Sequence, residues 1–144
     1  MDAHSLQEEL NAWKTLISRS QREERMNKDF GTVDDYIKAL ENIIAERLPK
    51  SHVTLLRKHC EAPQHISTAY RLAQAVGYAN GNAVNLQYGI LAHRVATELG
   101  VDEAPKGFWL YVLVDWADEL DSKGHTRFVL RPPVVEALHR LARS

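Results

Sequence analysis

Apolar positions recur with two different periods along the chain, and the change of period marks where helices give way to strands. Val33, Tyr36, Ile37, Leu40, Ile43, Ile44 and Leu48 keep the three- and four-residue spacing of one helix face. Thr32 and Asp35 open that helix as a capping box, with Asp in the position usually held by Glu or Gln, and Pro49 limits its extension. A shorter helix is predicted from Ser51 to about Cys60 on Val53, Leu55 and Leu56, and Pro63 separates it from the next element. Upstream, Ser5 to Met26 carry a narrow stripe of Leu6, Leu10, Trp13 and Ile17 among charged residues. Such a pattern predicts a solvated helical arm or a dimerisation arm, broken at Gly31.

The stretch from His65 to Leu99 reads as two helices joined by a tight turn. Ala69, Leu72, Ala73 and Val76 give the first, with Ser67 or Thr68 as its N-cap and Gly77 as its left-handed end. Asn80, Gly81 and Asn82 supply turn chemistry. In the second helix Val84, Leu86, Ile90, Leu91, Val95, Ala96 and Leu99 are expected to face inward, leaving Asn82, Asn85, Gln87, Tyr88, His93 and Arg94 for another face. This order is that of a helix-turn-helix, whose second helix can enter the DNA major groove.

After Gly100 the period shortens. Phe108 to Trp116 (FWLYVLVDW) is aromatic and β-branched and predicts a strand, and Thr126 to Leu130 predicts a second one across a turn at Asp121 to Gly124. The hairpin comes directly after the second helix, the place of a wing. Pro132 and Pro133 open a last helix packed through Val134, Val135, Leu138 and Leu141. The expected fold is therefore mainly α with a small β-hairpin: a charged helical arm over residues 1–31 and a winged helix-turn-helix-like domain over 32–144.

Composition narrows the function. The 144 residues are 44% hydrophobic, enough for the core of one domain. With 18 Lys and Arg against 19 Asp and Glu, bulk charge gives no support to non-specific nucleic-acid binding, so any DNA contact must rest on local patches. Only residues 51–100 lean basic, with 4 basic and 2 acidic side chains. A single cysteine, Cys60, fits a reducing compartment and is expected as a buried thiol. The sequence has neither a membrane-spanning run nor a secretory leader, so a cytoplasmic location is expected.

Candidate chemistry lies mostly in the second helix. Asn and Gln can pair bidentately with adenine, Arg can read guanine or hold phosphate, and Tyr can stack or reach phosphate. Asn82, Asn85, Gln87, Tyr88 and Arg94 are the candidate nucleic-acid contacts there, and Lys123 and Arg127 the candidates on the hairpin. An alternative assigns Asn80 and Asn82 to the turn, Asn85 to neighbouring backbone and Tyr88 to the core. The acidic Asp115, Asp118, Glu119 and Asp121 beside the hairpin argue against a phosphate-binding wing. His52, His59, Cys60 and His65 lack the paired spacing of a zinc site, and the histidines are expected on helix surfaces. Glycine-rich phosphate loops, HExxH and GxSxG are missing and no credible catalytic Cys-His pair stands out, so neither catalysis nor a cofactor is expected.

The runs TAYRLAQAVGY and AVNLQYGILAHRVATELG, with DYIKALENI before and LRPPVVEAL after, resemble the N-terminal region of bacterial HNH-endonuclease-type proteins and their stand-alone relatives. In those the pattern reads roughly TATQLAEAVGY and then AVNLQYGKLG. The resemblance spans about Asp35 to Leu141 and implies action on DNA. It does not carry nuclease activity over, because no HNH domain is expected before the chain ends at Ser144. Ile90 and Ala92 replace the usual Lys and Gly, which removes a phosphate contact. The expected function is sequence- or modification-dependent binding of double-stranded DNA, as a regulator or as the recognition part of a restriction or defence system. A homodimer through the N-terminal helix would add half-site contacts. The alternative is a protein-interaction module on the same scaffold, such as an antitoxin, an inhibitor or a complex subunit.

Overall fold

The computed structural model describes residues 5–14, 30–117, 120 and 123–143. Residues 5–14 are helical (α1), and the continuation of that helix predicted to Met26 lies outside the described residues. The helices α2 (Val33–Ala45), α3 (Lys50–Glu61), α4 (Ala69–Val76), α5 (Gly81–Leu99) and α6 (Pro132–Arg143) and the strands β1 (Ile66–Thr68), β2 (Val114–Trp116) and β3 (Arg127–Leu130) follow in the order α2-α3-β1-α4-α5-β2-β3-α6. The molecule is mostly helical, with one small antiparallel sheet in the order β1-β3-β2.

Local chemistry sets the helix ends. The Thr32 hydroxyl accepts from the Asp35 backbone N–H at 3.2 Å, and the Asp35 carboxylate accepts from the Thr32 N–H at 2.9 Å, the two halves of the predicted capping box. These bonds hold the Asp35 carboxyl below its usual range. Thr32→Ala removes one half of the box and is expected to cost about 1 kcal/mol of unfolding free energy, read as a lowered urea midpoint with unchanged slope.

The core lies where α2, α4, α5 and α6 meet the sheet. Tyr36, Leu40 and Ile43 of α2, Leu72 of α4, Leu91 and Val95 of α5 and Val134 of α6 are all essentially inaccessible to water. Together they form one apolar cluster.

Five expectations are corrected here. First, the aromatic run Phe108 to Trp116 is a strand only at its end. Pro105–Gly107 and Trp109–Val112 are short 3-10 turns, and Gly107 takes the left-handed conformation. The Val112 carbonyl accepts the Tyr36 hydroxyl at 2.6 Å, so α2 takes a backbone group that a strand would have given to a neighbour. Second, the sheet has three strands rather than a lone hairpin. Ile66, Ser67 and Thr68 pair with Val129, Phe128 and Arg127, ahead of α4.

Third, Leu86 and Ile90 point outward, 62% and 45% exposed. Val84, Tyr88, Leu91, Ala92, Val95 and Ala96 hold the inward face, and two residues further along a helix is a turn of roughly 200°. Fourth, His52 and His59 are buried, not on the surface. Fifth, Cys60, expected to be buried, is half-buried. Among the described residues no helix is long and apolar enough to cross a membrane.

Candidate nucleic-acid interface

The turn between α4 and α5 is built from the residues that turns need. Gly77 ends α4 at φ 91°, and its N–H donates to the Ala73 carbonyl at 2.9 Å. Asn80 caps α5, its Oδ1 accepting from the Ala83 N–H at 2.9 Å. A Cβ on Gly81 would stand 3.3 Å from that of Ala69, so glycine lets α5 start close against α4. At the other end of α4, the Thr68 hydroxyl accepts from the Arg71 N–H at 3.1 Å.

The seven candidate contacts divide on this frame. Asn82 and Asn85 are exposed on the first turns of α5. Gln87 is turned aside, its Oε1 accepting from His52 Nε2 at 2.8 Å. Arg94 faces α2, 3.7 Å from the Glu46 carboxylate. Tyr88 lies in the core, where its hydroxyl donates to His59 Nδ1 at 2.7 Å. The other ring nitrogen, Nε2–H, donates to the Phe128 carbonyl at 3.0 Å, which fixes the His59 tautomer. Burial pushes the His59 pKa down to about 4, against the opposing effect of the Phe128 bond, and raises the Tyr88 phenol. As a candidate contact Tyr88 is therefore corrected to a structural residue that ties α5 to α3 and, through His59, to β3.

On the hairpin, Lys123 sits over the Tyr70 ring of α4, 5.3 Å from its centroid, and His125 lies against the same ring at 5.4 Å. Arg127 shares a polar pocket of about 320 Å³ with Arg71, Gln64, Ser67 and Thr68. Two guanidinium groups lining one polar pocket at the start of a helix suit an oxyanion such as phosphate. Sequence reasoning missed Tyr70 and Arg71, although their place between the inward Ala69 and Leu72 marked them as outward.

The sheet separates this pocket from a second one. Side chains alternate along β3 and the residue before it, so Thr126 and Phe128 line a cavity of about 590 Å³ while Arg127 lines the polar pocket. One wall of the cavity is the exposed face of α5, with Asn85, Leu86, Gly89, Ile90 and His93. Opposite lies the irregular segment from Gly107 to Tyr111, together with Trp116. The His93 ring stacks on Trp109 at 4.3 Å, with 7° between the planes, and Tyr111 meets Trp116 edge to face at 5.3 Å. Among the described residues, no three or more His, Cys, Asp or Glu side chains gather as metal ligands would. No protein-family model, no curated protein and no solved structure matches the chain.

Proposed function

We propose that this protein is a winged helix-turn-helix domain that binds duplex DNA in a sequence- or modification-dependent way, with α5 as the recognition helix. The observation that carries the reading is the exposed pair Asn82 and Asn85 on the first turns of α5, the part of a recognition helix that contacts base edges. The element order supports it: a strand, two helices across a tight turn, then a hairpin whose second strand returns between the other two. Arg71 and Arg127 are the phosphate anchors, and Lys123 extends them along the hairpin. The resemblance to the N-terminal region of HNH-endonuclease-type proteins points the same way and suggests a regulator or the recognition part of a restriction or defence system.

A homodimer would double these few contacts. Leu6, Leu10 and Trp13 of α1 are exposed and spaced four and three residues apart, the spacing of a coiled-coil seam. The same stripe favours a second reading, in which the chain binds a partner protein through α1 and no DNA.

Titration of the purified chain with a pool of duplexes, including modified-base duplexes, at two salt concentrations separates the readings. DNA binding predicts sequence enrichment and salt sensitivity, and the contacts of Arg71, Arg127 and Lys123 contribute about −2.7 to the slope of log K against log salt per protomer. Failure to bind any duplex at low salt, with a stoichiometric protein co-purifying, overturns DNA binding in favour of the second reading.

A further inference from the structure

Gly89 lies in the middle of the nineteen-residue α5, where glycine is a poor helix former. A helical glycine is commonly kept because a neighbour crowds it or because its backbone is left-handed. Neither holds at Gly89, since an added Cβ would meet no atom within 4 Å and its φ is not positive. Instead Gly89 opens onto the 590 Å³ cavity, and the missing side chain leaves space there. That volume falls in the range of small-ligand sites, about 300–1,000 Å³.

The lining limits what enters. Phe108, Trp109, Tyr111, Trp116 and Phe128 are aromatic, and none of the described lining residues is Asp, Glu, Lys or Arg. A cation would lose part of its water here without meeting a carboxylate, and an anion would find only His93, already stacked on Trp109. Aromatic walls favour a flat ring by stacking. The Asn85 amide adds a hydrogen-bond donor beside an acceptor, matching the edge of a heterocycle that carries both.

We infer that this cavity binds a neutral, planar heteroaromatic ring of nucleobase size, stacked on its aromatic wall and read by Asn85. The ring has two possible sources: a free small molecule, or a base turned out of a duplex. Only the second source rests on the DNA-binding reading above.

The test titrates the full chain, with Trp13 replaced by Phe so that Trp109 and Trp116 alone report, with adenosine, cytidine, 5-methylcytidine and thymidine. A parallel arm uses a duplex carrying one 2-aminopurine, whose emission rises when it leaves the stack. A saturable tryptophan change with any nucleoside assigns a free ligand, and a rise in 2-aminopurine emission assigns an extruded base.

Two variants separate binding from structure. Gly89→Ala is expected to raise the melting temperature by roughly 2–6 °C, because alanine suits a helix better. Gly89→Leu, which fills the cavity, weakens the responding probe at least tenfold while the far-ultraviolet spectrum stays unchanged. Opposite signs on stability and binding are what a purely structural glycine would not give. No response from any nucleoside or from 2-aminopurine overturns the inference even if duplex DNA binds, as does a Gly89→Leu variant that binds like the parent. Nucleoside binding without duplex binding overturns the DNA reading alone.

Discussion

Lowering the pH from 6.5 to 4 is expected to remove about 3 kcal/mol of folding stability through one side chain, His59. Unfolded, this histidine titrates near 6.5; in the folded protein burial holds it near 4. Between these values the unfolded chain binds a proton that the folded chain refuses, so acid favours unfolding. The stability is fully present above 6.5 and is lost as the pH falls towards 4. The hydrogen bonds supply the atomic cause. Nε2–H is committed to the Phe128 carbonyl, so a second proton must go to Nδ1, which accepts from the Tyr88 hydroxyl. The Asp35 carboxyl, held below its ordinary 3.8, adds to the loss only from about pH 5 downward, so the fall between pH 6.5 and 5 belongs to His59. Urea midpoints at pH 7, 5.5 and 4.5 should fall progressively, and His59→Gln should flatten that dependence whatever it does to stability at pH 7. A flat profile in the parent protein would show that water reaches the ring.

The same histidine shows where sequence reasoning stops. The Thr32–Asp35 capping box, the Gly77 helix end and the Asn80 turn were legible because their partners lie within a few residues. His59 and Tyr88 are 29 residues apart; His59 reads as a polar surface residue, and Tyr88 stays open between a contact and a core position until the two are side by side. β1 escaped for a related reason. Ile66, Ser67 and Thr68 are too few to show alternation, and their partners lie some sixty residues further on. The run from Phe108 to Trp116 misled in the other direction. Its composition is that of a strand, but a four-residue β3 pairs with only three residues of it, so the remainder coils against α5. That coiling, with Leu86 and Ile90 turned outward, made the aromatic cavity. The cavity walls come from segments far apart in sequence, so no local pattern announced them.

Replacing both Asn82 and Asn85 by Ala should lower affinity for the preferred duplex by roughly 1–3 kcal/mol for each base pairing removed. Both side chains are exposed, so the melting temperature of the free protein should stay close to the parent's. Gln87→Ala is the informative contrast, because sequence alone ranks Gln87 with the two asparagines. Its amide is held by His52, so its loss should register in stability while base discrimination persists. Arg94→Ala belongs with it, since that guanidinium faces Glu46 on the α2 side of the helix. Arg71→Ala should behave differently again. It should weaken all duplexes alike and reduce the salt slope by about 0.9, as a phosphate contact does. If the double asparagine variant kept full affinity and sequence preference, α5 would not be the reading helix. If Gln87→Ala abolished discrimination, the His52 bond would have to open when DNA binds, and the recognition surface would extend across Leu86 and Ile90 to the far side of the helix.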